Sequence, residues 1–212
     1  MDVLREHAKL GEVPHKHYPG AGELLGVPMR STFDTARAFT SMSFEEVERL
    51  MDEPSYEGRL AGFCVLDFKA RAKRTTDDDR QAAYDLYLRR HNAIDSWDMV
   101  DRAAPHVIGR YLLDRDRTPL FDLARTSDPL RRRTAITAPL YFARFGTPND
   151  LDDLFSIAEL LLADKDPVVS KPVGIALKYA GVLDEPALRT FLDKHEPAMQ
   201  SATLRYAHEK LK

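Results

Sequence analysis

Apolar residues recur at three- and four-residue spacing along most of the chain, and residues that start helices stand between the apolar runs. Leu60, Phe63, Cys64, Phe68 and Ala72 share this spacing and predict a long helix from Ser55 to about Lys73. Ala82, Ala83, Leu86, Tyr87 and Leu88 form the apolar face of the next helix, capped by Thr75 or Thr76. Ser43-Phe44-Glu45-Glu46 is a capping box: the Ser oxygen accepts the N–H three residues on, Glu46 reaches back, and a short helix runs to about Met51. Before it, Met1 to Lys9 is weakly helical and a helix is expected near Ser31 to Phe39. Helix follows helix, with no strand signal between them.

The second half is punctuated more regularly. Thr118-Pro119 opens a short helix and Asp128-Pro129 a longer one, with Pro at the first helical position. Asn149 or Asp150 caps a helix through Ala163, and further helices begin at Asp166-Pro167, Asp184 and Ser201. Asp128, Pro129, Arg133, Ala138 and Tyr141 superimpose on Asp166, Pro167, Lys171, Ala176 and Tyr179 at a constant offset of 38. This is the period of a HEAT-like helix-pair repeat, so the expected fold is all-α, a helical-repeat solenoid with a concave face, in one domain over residues 1–212. In such arrays the repeated basic residue either faces a ligand or bonds the neighbouring repeat, and the pattern leaves both open for Arg133 and Lys171.

Composition changes this picture little. With 43% hydrophobic and 31% charged residues the chain has the balance of a globular protein that buries a core. The single cysteine, Cys64, excludes an internal disulfide and lies in the apolar run Ala61 to Leu66, where it reads as a small core residue suited to a reducing cytoplasm. No apolar stretch nears 20 residues, and Met1 to Lys9 does not read as a signal peptide. Within the loop-like residues 1–23, His15 and His17 have only Glu12 nearby and no cysteine, so no metal is assigned there. Nothing in the pattern calls for a cofactor.

A net charge of −3 argues mildly against a protein that coats nucleic acid, although distribution matters more than the total. Lys69, Arg71, Lys73 and Arg74 form one basic cluster, Arg89 and Arg90 a second and Arg131 to Arg133 a third. Acids gather at Asp77 to Asp79 and at Asp150, Asp152 and Asp153. Each basic cluster taken alone reads as a solvated helix face.

One stretch stands out. Asp95 to Gly109 holds the only tryptophan, Trp97, and acids at 95, 98 and 101. Asp95 or Ser96 is placed to cap a helix, Asp98 suits its positive end, and Trp97 and Asp101 share a face as i and i+4. Pro105 is expected to break that helix. The pair is either a core tryptophan beside a solvated acid or an apolar wall and a charge facing a ligand.

The run Trp97-Asp98-Met99-Val100-Asp101 followed by Pro105 resembles the Trp-Asp-x-Val-Asp-x-x-x-Pro block of the AlkD-like DNA alkylation repair glycosylases. Leu25-Gly26-Val27, Arg131-Arg132-Arg133 with Ala135-Ile136, Lys171-Pro172-Val173-Gly174 and Leu204 to Lys210 resemble other blocks of that family in the same order, from about Leu24 to the C-terminus. The resemblance implies an enzyme that hydrolyses the N-glycosidic bond of positively charged alkylated bases, 3-methyladenine or 7-methylguanine, in double-stranded DNA; the solenoid pattern suits a monomer and the single cysteine a cytoplasmic protein. It implies Asp101 as the catalytic carboxylate, Trp97 against the lesion's deoxyribose and Arg133 on the backbone phosphate, with Lys171 and Lys178 as further DNA contacts. Arg133, Lys171 and Lys178 are then expected on the concave face, and Asp77 to Asp79 away from it.

The chain departs from that family at Ile175, where a second aromatic is common, at Lys178, which replaces an Arg, and at Gln200-Ser201, which replaces Pro-Arg. These departures support an alternative, a non-catalytic HEAT-like protein that binds branched or distorted DNA or a protein partner.

Overall fold

The computed structural model describes residues 1–8, 20 and 22–211. The expected loop around Pro14, His15 and His17 lies outside the described residues. Among the described residues there is no strand, only one isolated bridge between Glu23 and Ser55, so the fold is all-α as expected. The chain divides into two compact units, Met1–Ala103 and Ala104–Lys212.

The first unit contains α1 (Asp2–Glu6), α2 (Met29–Ala38), α3 (Phe44–Met51), α4 (Tyr56–Arg71), α5 (Asp77–Arg89) and α6 (Trp97–Ala104). The capping boxes form at Ser43 with Glu46 and at Thr76 with Asp79, and Ser55 accepts the Gly58 N–H at the start of α4. Helix α4 is the centre of the unit, with α2, α3 and α5 packed around it. Its residues from Tyr56 to Leu66 are buried almost all round, and Phe63 meets Tyr87 of α5 edge-on at 5.8 Å. The fully buried Glu57 carboxylate accepts the backbone N–H groups of Leu25, Gly26 and Val27 at 2.9, 2.9 and 3.2 Å, which ties the incoming chain to α4. Gly26 has a φ of 76°, a left-handed turn that presents consecutive N–H groups to one acceptor.

Past α6 the chain does not break at Pro105. It continues through a π turn over Pro105–Gly109, closed by the Arg110 N–H on the Pro105 carbonyl, into α7 (Arg110–Leu112). Proline lacks an N–H and clashes with the carbonyl four residues back, so a break is the ordinary outcome; here the backbone stays helical through the widened turn.

The second unit continues with α8 (Thr118–Ala124), α9 (Pro129–Thr137), α10 (Leu140–Phe145), α11 (Leu151–Leu161), α12 (Pro167–Leu183), α13 (Glu185–His195) and α14 (Ser201–His208). Asp128 and Asp166 each accept the N–H of the second helical residue at 2.9 Å, and Asp184 accepts that of Ala187. Ahead of α11, Asp150 completes a capping box with Thr147 on a short 3-10 turn; neither it nor Asn149 caps α11 itself through its side chain. Helix α8 packs on α9 and α11 on α12, while α12 also packs on α9, α10, α13 and α14. The helix-pair pattern is compatible with a helical-repeat fold. Two close approaches to backbone are alike: Gly109 lies against the Ala138 carbonyl and Tyr141, and Gly174 against the Thr203 carbonyl and Tyr206.

Candidate functional site

Three polar ties bind α6 and the residues before it to α4. Arg59 meets Asp95 at 2.6 Å, the Tyr56 hydroxyl donates to Asp98, and Arg102 meets Asp67 at 2.9 Å. Asp98 and Arg102 are i and i+4 on one side of α6, and Asp95 lies just before the helix. Met99, Val100 and Ala103 are fully buried. Trp97 is half-buried and Asp101 is exposed, one turn apart on a different side. Sequence reasoning paired these two residues, and the structure places them on one helix. Ser96 is buried with its hydroxyl unpartnered, so it does not cap α6.

The electrostatics under this helix are those of a dry site. Burial pushes the Asp67 carboxyl up to about 6, against the opposing pull of Arg102 and Arg71. Burial, then the Asp98 carboxylate, raises the Tyr56 hydroxyl far above its ordinary value and keeps it a donor. Burial likewise raises the Cys64 thiol, which makes it an inert core group as its sequence setting suggested.

In the second unit Arg133 is buried and donates to the Val168 carbonyl at 2.6 Å. That carbonyl begins an i, i+4 step whose donor position is Pro172, which has no N–H, so Arg133 supplies the missing hydrogen bond. Of its neighbours, Arg132 bonds Asp164 and the Ser127 carbonyl, each at 2.7 Å, and Arg131 lies 3.6 Å from Asp128. Two members of the triplet therefore tie helices together.

Lys171 is exposed on α12, and Ile175 and Lys178 follow at i+4 and i+7 on the same face. Lys178 stands 3.4 Å from Glu209 and over the Tyr179 ring at 5.2 Å. Members of the other basic clusters are also engaged: Arg89 and Arg90 pair with Glu48 and Asp52, and Lys69 donates to the Thr40 and Met42 carbonyls. Asp77, Asp78 and Asp79 are exposed at the start of α5. Among the described residues no three His, Cys, Asp or Glu side chains are grouped as a metal site, and no helix is long and apolar enough to cross a membrane.

A family model described as "DNA alkylation repair enzyme" matches residues 4–211. The chain belongs to this family. A solved structure of a predicted DNA alkylation repair enzyme from Enterococcus faecalis has the same fold, with a TM-score of 0.64 and 12% identity over 90% of this chain and 89% of the other. No match was found among curated proteins. At that identity the structural likeness extends to the fold alone.

Sequence reasoning missed the Asp67 and Arg102 pair. A signal was present: Asp67 interrupts the apolar run from Gly62 to Phe68, and a charge on a fully buried helix needs a partner. Which partner it takes depends on tertiary packing.

Proposed function

We propose that this family member is a DNA glycosylase that hydrolyses the N-glycosidic bond of positively charged alkylated bases such as 3-methyladenine and 7-methylguanine. Family membership supports a role in DNA repair. The observation that carries the finer reading is an exposed Asp101 carboxylate one turn from a half-buried Trp97, on a helix fastened to α4 by three polar ties.

The chemistry suits this pair. When the base is already cationic, the bond from C1′ to nitrogen breaks with its electron pair going to the base, which leaves neutral without an acid. Positive charge develops on the sugar, where a fixed carboxylate opposes it. Water then adds at C1′ and gives up a proton. Asp101 is the proposed counter-charge, and Trp97 the surface against the deoxyribose. Lys171 and Lys178 are proposed backbone contacts, with Lys171 the more exposed. Arg133, proposed for a phosphate by family resemblance, is buried and donates to the Val168 carbonyl, which competes with a phosphate role.

The second reading, binding of branched or distorted DNA without catalysis, draws on Ile175 in place of a second aromatic and on the burial of Arg133. One experiment separates the two: purified protein is incubated with DNA carrying 7-methylguanine or 3-methyladenine, and released base is measured. Release above the spontaneous rate supports the glycosylase. Binding without release supports the alternative.

A further inference from the structure

We infer that Asp67 and Arg102 are positioning residues for Asp101, holding α6 at the rotation that presents its carboxylate and Trp97 outward. The inference rests on the glycosylase reading for its kinetic consequence and on geometry for its structural one. Asp101 lies between two tied residues, Asp98 on one side and Arg102 on the other. Arg102 is the tie on the C-terminal side. Its guanidinium lies over the rings of Phe33 and Phe68, with 4.8 and 4.5 Å to their centroids, which fixes its plane as well as its charge.

The pair is not an efficient way to stabilise a fold. Asp67 is fully buried and Arg102 largely so, yet Asp67 Oδ1 and Arg102 Nε are both buried without hydrogen-bond partners. Two desolvated charges with unsatisfied atoms contribute less than well-packed apolar residues of similar volume. What an ion pair supplies that apolar packing does not is a single preferred rotation, because sliding or turning α6 separates the charges. That rotation sets where the adjacent residue, Asp101, points.

The test uses the full chain with Asp67→Asn and Arg102→Lys, the second retaining charge while losing the planar stack. Three quantities are measured well below the melting temperature: emission and iodide quenching of Trp97, the only tryptophan; affinity for DNA carrying 7-methylguanine; and single-turnover base release. Positioning predicts affinity within about twofold of wild type, altered Trp97 emission or quenching, and release slowed on the order of a hundred-fold, the cost of a slightly misplaced catalytic group. A folded variant with wild-type release, or with unchanged Trp97 emission and quenching, overturns the inference. If Asp67→Asn does not fold, Arg102→Lys decides by the same criteria. If the wild-type protein releases no base, the glycosylase reading fails, and the Trp97 measurements still decide whether the pair sets the helix rotation.

Discussion

The Arg133 guanidinium donates at 2.6 Å to the carbonyl of Val168, a carbonyl whose ordinary helical donor is replaced by Pro172. The two residues are thus joined by backbone accounting: the proline removes a donor inside α12 and the arginine on α9 restores it. Arg133→Ala should lower stability by about 1.5–3 kcal/mol, the worth of a charge-assisted hydrogen bond. In a Pro172→Ala background, where residue 172 regains its N–H, the same change should cost about 1 kcal/mol less. Urea denaturation of the four proteins gives the coupling. Additive effects would show that the two residues are independent.

Lys171 repeats the position of Arg133 in the next helix pair but is exposed, so its role should differ. Lys171→Ala is expected to leave the melting temperature nearly unchanged and to weaken DNA binding uniformly across sequences. The slope of log affinity against log salt should fall in magnitude by about 1, as for the loss of one phosphate contact. A slope equal to wild type would remove Lys171 from the DNA surface.

Gly109→Ala and Gly174→Ala probe the repeated close approaches. A Cβ at Gly109 would fall on the Ala138 carbonyl and 2.8 Å from the Tyr141 Cβ; at Gly174 it would fall on the Thr203 carbonyl and 2.8 Å from the Tyr206 Cβ. Backbone carbonyls cannot rotate away as a side-chain tip can. Each substitution should therefore cost about 1–3 kcal/mol by overpacking, outweighing the gain of up to about 1 kcal/mol in helix propensity. Thermal melting measures the balance, and a stabilised variant would contradict the close packing.

These contacts show which parts of the molecule were legible in the sequence. Helix starts were legible at Ser43, Thr76, Asp128, Asp166 and Asp184, because caps are made within a few residues of chain. Pro105 is not the expected break, since a local rule cannot foresee that the chain stays helical through a π turn. Trp97 and Asp101 were paired by helical spacing alone, but the ties that orient their helix join residues 36 to 42 apart in two cases. The Arg131 to Arg133 cluster looked like one basic surface, whereas two of its members serve helix packing. A charge run has the same spelling whether it meets solvent or a neighbouring carbonyl.

Burial raises the Asp67 carboxyl to about 6, and this fixes the direction of a pH effect. In the unfolded chain the group titrates near 3.9. Between these values the folded state binds more protons, so Asp67's contribution to stability is fully present below the unfolded value and is lost as pH rises through about 6. The loss for one such group is about 2–3 kcal/mol. Stability of the wild type minus that of Asp67→Asn, measured by urea denaturation from pH 4 to 7.5, should fall by this amount. A difference that rises with pH would mean that Arg102 and Arg71 outweigh burial.

Asp101→Asn separates charge from shape at the proposed catalytic position. The amide keeps the size of the side chain, and loss of one negative charge near phosphates should leave affinity for alkylated DNA intact or slightly improved. Base release should nevertheless slow on the order of a hundred- to a thousand-fold, about 2.7–4 kcal/mol of lost stabilisation of the developing sugar cation. Trp97→Ala is a less clean comparison, since Trp97 is half-buried and its removal alters packing as well as contact. Single-turnover release of 7-methylguanine with enzyme in excess isolates the bond-breaking step from DNA binding. Equal rates for wild type and Asp101→Asn would make Asp101 a surface acid and return the site to the binding reading.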